Sequence, residues 1–497
     1  MRSIEQCCLA WGRPMNVQID ARTPAWRWME LLNGGKISAV ELLVLYEQQV
    51  KKLNPKLNAI VLQDFERARA QAKDADLARS RGETGALLGL PHTVKDCIYV
   101  AGFPTTGGLP EKRAADPALD SPLSIRLRRA GSVVFGKTNV PPYAADWQSD
   151  NPLFGRTLNP WSDAVTPGGS SGGAASALAA AMTPLEFGGD LAGSIRIPAS
   201  FCGVFGHKST EGLLPRAGHF PGQPQLENAA VGMGVQGPMG RCSRDLSMAL
   251  DVMENAPKRP DASGAAGRRL SDYRVAVLAL PAWLPVSDEV RDRFDSFCLS
   301  LRSSGVNLQV EPAPALGDLR EFMATYRSLL SAVAHAVMPP FIREASAKQI
   351  LEFGGADQFA AAAAAGARAS AGDFIGWSGM RAAQAARFGR LFENWDVLLT
   401  PTQITVAFEH DRSQPDFARR LRVNGRDEAY AQMFVLPSLC NLTGHPATAF
   451  PVGVGGQSGL PVGAQAIGPL FGDRSTLGFV AALEKEAGVG ELVPPGY

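Results

Sequence analysis

The stretch from Gly168 to Gly212 reads GGSSGGAASALAAAMTPLEFGGDLAGSIRIPASFCGVFGHKSTEG, and it contains two glycine-framed serine clusters. Ser170 and Ser194 lie 24 positions apart. The segment between them reads as an excursion out and back. Ser171 is placed to N-cap a helix of small residues running to about Met182, which Thr183 and Pro184 then stop. Eleven helical residues carry the chain about 16 Å outward, and the extended run Leu185 to Gly189 returns it over about the same distance. The two serines can therefore meet. Alanine and glycine also keep the helix thin enough to pack closely on a sheet. Around Ser194, the sequence Asp190, Leu191, Ala192, Gly193 suits a tight turn whose backbone N–H groups converge on one small volume, as an oxyanion hole requires.

Other readings compete for the same residues. Glycine and serine runs are usually flexible loops, and GGSSGG taken alone favours that reading. Gly168, Ser170 and Gly172 also match the GxSxG elbow of α/β-type serine hydrolases, but an elbow follows a buried strand. Ser170 instead follows the polar, turn-rich Asn159 to Asp163. No Lys-Ser or Lys-Thr pair follows the glycines, as a phosphate-binding loop demands. A serine nucleophile needs a base, and the histidines at 92, 207, 219, 335, 410 and 445 are scattered, with no local arrangement that proposes a triad. Lys95 is the better candidate. It lies in GLPHTVKDCI (Gly89 to Ile98), an apolar run that reads as a strand and draws the lysine inward. A lysine titrating near 10.4 is neutral about once in 2,500 molecules at pH 7, so burial and hydrogen bonding must lower its pKa before it accepts a proton. On the strand alone, pairing of Lys95 with Asp96 or another surface carboxylate stands equal to the catalytic reading.

The run Gly168 to Gly212 closely resembles the amidase signature, and the strand carrying Lys95 resembles that family's lysine motif. The likeness extends almost the whole chain, through Asn139 in GKTN, NPLFGRTLNPW (Asn151 to Trp161), GPMGR (Gly237 to Arg241), Asp396 to Thr402, NLTGHPA near Asn441, and GLPVGAQAIGP (Gly459 to Pro469). In overall look it is most similar to bacterial amidases of the aryl acylamidase and urethanase kind. The resemblance implies a Ser-cisSer-Lys triad with Ser194 as nucleophile, Ser170 as bridge and Lys95 as base, the family spacing selecting Ser170 over Ser171. It also implies an oxyanion hole from the N–H groups of Leu191, Ala192, Gly193 and Ser194, and a chemistry that requires neither metal nor cofactor. The expected reaction is cleavage of C–N bonds in amides, aryl amides and carbamates included, through an acyl- or carbamoyl-enzyme on Ser194. A non-hydrolytic or partner-dependent subunit, like the amidotransferase subunit that feeds ammonia to misacylated tRNA, is the alternative on the same fold. Two positions depart from the family pattern: Ala192 stands where glycine is common, and Ser209, after GHK, where proline is. Alanine keeps its N–H, so the hole depends on whether position 192 requires positive φ. Asp190 and Arg196 flank the nucleophile and are read as a supporting ion pair rather than catalytic groups.

Composition narrows the class. With 49 basic against 48 acidic residues among 497, no global field attracts nucleic acid. Hydrophobic content of 45% supports a sizeable core, and no Pro-rich or charged linker divides the chain. The 7 cysteines are odd in number and lack CxxC metal spacing or disulfide-like regularity, which fits a reducing cytoplasm. No run approaches the roughly 18 apolar residues of a membrane span, and the N-terminal apolar stretch is too short for a signal peptide. The expectation is a soluble cytoplasmic enzyme acting on a small-molecule amide or carbamate, with no nucleic-acid or membrane partner and, at most, homodimerisation.

Along the chain, residues 1–20 read as an irregular lead-in and 21–490 as one domain. Ser38 with Glu41 forms a capping box for a helix running to about Lys52, ended by Asn54 and Pro55. Strands are expected at Val133 to Gly136, Arg274 to Leu280 and Val306 to Val310, with a surface helix from Ser287 to Ser303 between the last two. Such alternation predicts an α/β fold with helices on both faces of a sheet, and the resemblance makes it a single large mixed β-sheet core. Residues 313–395 form a variable helical segment expected to cap the active site. Within it FAAAAAAGARA (Phe359 to Ala369) is strongly helical, with Gly366 and Gly372 as interruptions. Phe374, Trp377, Met380 and the Gln403 loop are candidate pocket residues, against the reading that such aromatics merely pack.

Overall fold

Two sheets organise the computed structural model, which describes residues 20–114, 119–215, 217–219, 232–254, 267–311, 316–355, 357–412 and 415–497. Of the expected lead-in, residues 1–19 lie outside the described residues. The first sheet has three strands, β1 (Ile60–Gln63), β2 (Pro91–Lys95) and β3 (Val133–Thr138), in the order β1-β3-β2. β2 runs parallel to β3, pairing Lys95 with Thr138. After a short two-stranded ribbon, β4 (Asp150–Asn151) and β5 (Gly155–Arg156), come β6 (Glu186–Asp190), β7 (Phe205–Lys208), β8 (Val235–Gly240), β9 (Arg274–Leu278), β10 (Asn307–Glu311) and β11 (Val397–Pro401). A hairpin, β12 (Arg420–Val423) and β13 (Arg426–Ala429), precedes β14 (Ala447–Val454) and β15 (Pro461–Ile467). Eight of these build the large mixed sheet, in the order β10-β9-β11-β15-β14-β7-β8-β6. Every residue of β6, β7, β8, β11 and β15 is buried.

β9, the helix Asp288–Ser303 and β10 form a parallel β-α-β unit. Ser287 caps that helix by accepting from the Val290 N–H, so the expected elements fall in place within a residue or two. The Ser38 and Glu41 capping box is also present, but its helix runs on to Leu57 with Pro55 inside it. Pro55 lies in the last turn. Asn54 acts beyond the helix instead, where its Oδ1 accepts from the N–H groups of Ala59 and Ile60, both at 2.9 Å. The poly-alanine stretch is helical from Ala360 to Ala367, and Gly366 does not interrupt it. A Cβ on Gly366 would lie 2.3 Å from the Ser328 carbonyl oxygen, so this glycine lets the helix press against the Leu319–His335 helix. Gly372 sits in the first turn of the next helix, Ala371–Asn394.

The helix after Ser171 joins the two sheets. It spans Gly172–Ala179, all eight residues are buried, and it touches β1, β2 and β3 on one side and β6 and β8 on the other. It ends before Met182 because Ala181 turns left-handed (φ 52°), and the Ala181 and Met182 N–H groups bond back to Leu178 and Ala177. This is a Schellman closure with alanine where glycine is usual. Ser171 occupies the N-cap position but makes no capping bond. A Cβ on Gly173 would lie 2.3 Å from the Asn139 nitrogen and 2.7 Å from the Ala59 oxygen, so only glycine lets the helix approach the backbone.

The turn after β6 is held by a buried ion pair. Arg196 Nε and Nη2 donate to the two carboxylate oxygens of Asp190 at 3.0 and 2.9 Å, with both side chains fully shielded. Asp190 also accepts from the Gly193 and Ile195 N–H groups, at 2.9 and 3.1 Å. The remaining guanidinium donors reach the Gln465 and Asn441 side-chain oxygens, both at 2.7 Å, and the Pro437 carbonyl at 3.1 Å. Burial alone would raise the Asp190 carboxyl, but the Arg196 guanidinium overcomes it and holds Asp190 well below the usual carboxylate range.

Two consequences can be measured by urea unfolding. Gly173→Ala should destabilise by at least about 1–3 kcal/mol through overpacking, whereas Gly376→Ala, on an exposed helix face with nothing within 4 Å of its Cβ, should be neutral or gain up to about 1 kcal/mol. Arg196→Met should cost about 3–5 kcal/mol, because it strands the Asp190 charge in the interior.

Candidate active site

Lys95 ends β2 and is only 1% exposed. Its Nζ donates to Ser170 Oγ at 2.8 Å and to the Gly189 carbonyl at 3.2 Å. Asp96 is not its partner: that carboxylate pairs with Lys137 at 2.8 Å, both side chains fully buried. No carboxylate lies within ion-pair distance of Lys95 among the described residues. Burial lowers the Lys95 pKa from the ordinary lysine value, against the opposing pull of Cys97, Asp190 and Glu186.

Ser170 follows a cis Gly169–Ser170 peptide bond. The glycines ahead of it are sterically required, since a Cβ on Gly169 would lie 2.5 Å from the Asp146 carbonyl oxygen. Ser194, 7% exposed, joins this group through the main chain, its carbonyl accepting from the Ser171 N–H at 3.1 Å. The end of β2 thus places Lys95 against Ser170 in the loop before the Gly172–Ala179 helix, and the turn after β6 places the Ser194 main chain against the adjacent Ser171.

That turn presents backbone donors, though not all four expected ones. The Gly193 N–H is bound to Asp190, while those of Leu191, Ala192 and Ser194 bond to no acceptor among the described residues. Gly193 has φ 87°, whereas Ala192 is not among the residues of positive φ, so the left-handed position falls on the glycine and the alanine substitution is tolerated. The Leu191 and Ala192 carbonyls are tied back by the Tyr326 hydroxyl at 2.8 Å and the Trp147 indole N–H at 2.9 Å.

The four pocket candidates do not form one wall. Phe374 lines a cavity with Gly232, Met233, Leu329, Val333, Ser378 and Arg381. Trp377 packs half-buried against the core, and Met380 is 46% exposed. Gln403 is buried, its amide donating to the Met433 carbonyl and accepting from the Ile404 N–H. Several neighbours of the site were not singled out from the sequence. Tyr326 comes from a distant helix, and no local pattern marks it. His219 stands 3.2 Å from Cys97 Sγ, its ring against Gly189. Glu186 is a carboxyl inside an otherwise apolar run, which is a signal the sequence does carry.

Comparison with known proteins completes the description. The amidase family model matches residues 41–477. The chain is 30% identical to an indoleacetamide hydrolase of Bradyrhizobium diazoefficiens over 94% of its own length and 88% of that protein. It is also 30% identical to a glutamyl-tRNA(Gln) amidotransferase subunit of Nitrosomonas eutropha, over 94% and 97%. Among solved structures, that of a bacterial aryl acylamidase of the amidase signature family superposes with a TM-score of 0.76 at 25% identity, covering 94% of this chain and 96% of the other. With the family model spanning nearly the whole fold and the signature segment forming its buried centre, the chain belongs to the amidase family, the amidase signature enzymes.

Proposed function

We propose that this protein is a serine amidohydrolase that cleaves the C–N bond of neutral, largely apolar amides, with Ser194 as nucleophile, Ser170 as proton bridge and Lys95 as base. The observation that carries this reading is the buried contact of Lys95 Nζ with Ser170 Oγ at 2.8 Å, in a site with no carboxylate paired to the lysine among the described residues. A desolvated lysine without an ion-pair partner is the kind that reaches its neutral form near working pH. Neutral Lys95 takes the Ser170 proton, Ser170 takes that of Ser194, and Ser194 Oγ attacks the carbonyl carbon. The oxyanion is met by the free N–H groups of Leu191, Ala192 and Ser194, each donor typically worth about 10² to 10³ in rate. The proton returns through Ser170 to the leaving amine, and water releases the acyl-enzyme.

Aryl amides and carbamates are the proposed substrate classes. Met233, Leu329, Val333 and Phe374 give the cavity an apolar lining and its charged member, Arg381, is paired with Glu211, although none of Lys95, Ser170 and Ser194 is among the lining residues. The Leu319–His335 helix contributes to that cavity and, through Tyr326, to the turn bearing the oxyanion donors, which supports a capping role for the 313–395 segment. In a carbamate the carbonyl is attacked identically, and either the alcohol or the amine leaves. The amidotransferase relative supports a second reading, in which the chain is partner-dependent or non-hydrolytic.

Ser194→Ala should abolish turnover, and Ser170→Ala and Lys95→Ala should each lower kcat/KM by several decades; near-normal hydrolysis by the lysine variant at neutral pH would overturn the scheme. Since the base acts only when neutral, kcat/KM should be lost as pH falls through the Lys95 ionisation, with a midpoint below the ordinary lysine value; a midpoint at or above that value contradicts a lysine kept neutral by burial. A fluorophosphonate should label Ser194 stoichiometrically in the isolated chain, and an unlabelled but folded protein would favour the non-hydrolytic alternative. In a panel of anilides, primary amides and aryl carbamates, a rate confined to primary amides would eliminate the aryl and carbamate proposal.

A further inference from the structure

Glu186 opens β6 and is fully buried. Its Oε2 accepts from the Phe187 N–H at 2.8 Å, while Oε1 has no hydrogen-bond partner among the described residues. The hydroxyls of Thr93 and Thr138 face this carboxyl group without completing a hydrogen bond of good geometry, and both are likewise unpartnered. Strand geometry ties both threonines to Lys95. Thr93 stands two residues earlier on β2, hence on the same face, and Thr138 is paired with Lys95 across β2 and β3. A carboxyl group enclosed by strands without an ion pair is rare enough to need a reason.

Lys95 Nζ bonds to the Gly189 carbonyl, three residues along the strand that Glu186 opens, and the Glu186 charge acts on Lys95 and on the neighbouring Cys97. Two other groups face that lysine, Asp190 and Cys97. The charge of Asp190 is balanced by Arg196, and burial pushes the Cys97 thiol up to about 11, so it remains neutral over the working range. Among the described residues, Glu186 is thus a carboxyl acting on Lys95 that has no ion-pair partner of its own.

We propose that Glu186 is a positioning residue for the proton relay, its carboxylate supplying the negative charge that stabilises Lys95 once the lysine has taken the proton. This rests on the assignment of Lys95 as the base. As Ser194 Oγ bonds to the carbonyl carbon and the carbonyl π pair moves to oxygen, one proton passes from Ser194 to Ser170 and another from Ser170 to Lys95 Nζ. Glu186 gains and loses none. Its charge makes an ammonium ion tolerable in a water-poor site, and removing that charge should make Lys95 deprotonate at lower pH. Burial pushes Glu186 itself up to about 7, opposed by Thr93, Thr138, the Phe187 N–H and Lys95, so carboxyl and lysine titrate as a coupled pair.

The test is the rate of Ser194 labelling by a fluorophosphonate from pH 5 to 10, which needs no knowledge of the substrate. In Glu186→Gln the midpoint of the rise should move down by roughly one pH unit, with a lower plateau because the base is weaker. Thr138→Val, which removes a hydroxyl facing the carboxylate, should move it in the same direction by less, and it carries the test if Glu186→Gln does not fold. A profile of either folded variant that superposes on the parent after scaling would overturn the proposal and leave Glu186 a packing residue. Lys95→Ala run in parallel separates the two ideas. If it labels at the parent rate with the parent profile, the base assignment has failed; if it loses labelling while the other profiles stay unshifted, only the role of Glu186 has failed.

Discussion

The buried pair of Asp190 and Arg196 is the constraint on which the proposed active site depends. Two charges enclosed together are stable only if every remaining donor and acceptor is met, and here they are. The carboxylate gathers the guanidinium and two N–H groups of the turn, while the guanidinium reaches on to Pro437, Asn441 and Gln465. Residues distant in the chain are thereby locked around a turn of six residues. The Leu191, Ala192 and Ser194 N–H groups of the turn meet no acceptor among the described residues, because the ion pair, rather than a conventional hydrogen-bonded turn, sets its shape.

A second constraint is the closeness of the Gly172–Ala179 helix to both sheets. Because its residues are small, the loop ahead of it can approach both sheets: Ser170 comes within hydrogen-bond distance of a lysine at the end of β2, and Ser171 bonds to the Ser194 carbonyl in the turn after β6. The two sheets carry different parts of the proposed relay. The three-stranded sheet holds Lys95 and the eight-stranded sheet leads into Ser194, so their relative placement is a matter of helix packing, which tolerates little change in side-chain volume. The same burial that brings the groups together also removes water from the lysine, so its position and its lowered pKa have one cause.

Much of this was legible in the chain. β3, β9 and β10, the capping box at Ser38, the helix after Ser287 and the inward-facing strand of Lys95 all follow from local pattern, because side-chain period and cap chemistry act over a few residues. The misjudged boundaries have physical origins as well. Ala181 accepts a left-handed conformation, Pro55 is accommodated in a last turn, and Gly366 serves helix contact rather than helix breaking. For Gly366 a tertiary neighbour, the Ser328 carbonyl, outweighs a local preference of about 1 kcal/mol, while Ala181 and Pro55 are accommodated by the closing turns of their own helices.

The sequence by itself determined the strands, the caps and the signature spacing of Ser170 and Ser194, since these depend on residues close together in the chain. Only the tertiary structure decided whether Lys95 meets Asp96 or Ser170, which turn N–H groups find an acceptor among the described residues, and that Thr93 and Thr138 face the buried Glu186. Those outcomes depend on how far each group is removed from water and on which buried partner reaches it first, and both are properties of packing between segments that no short window of sequence contains.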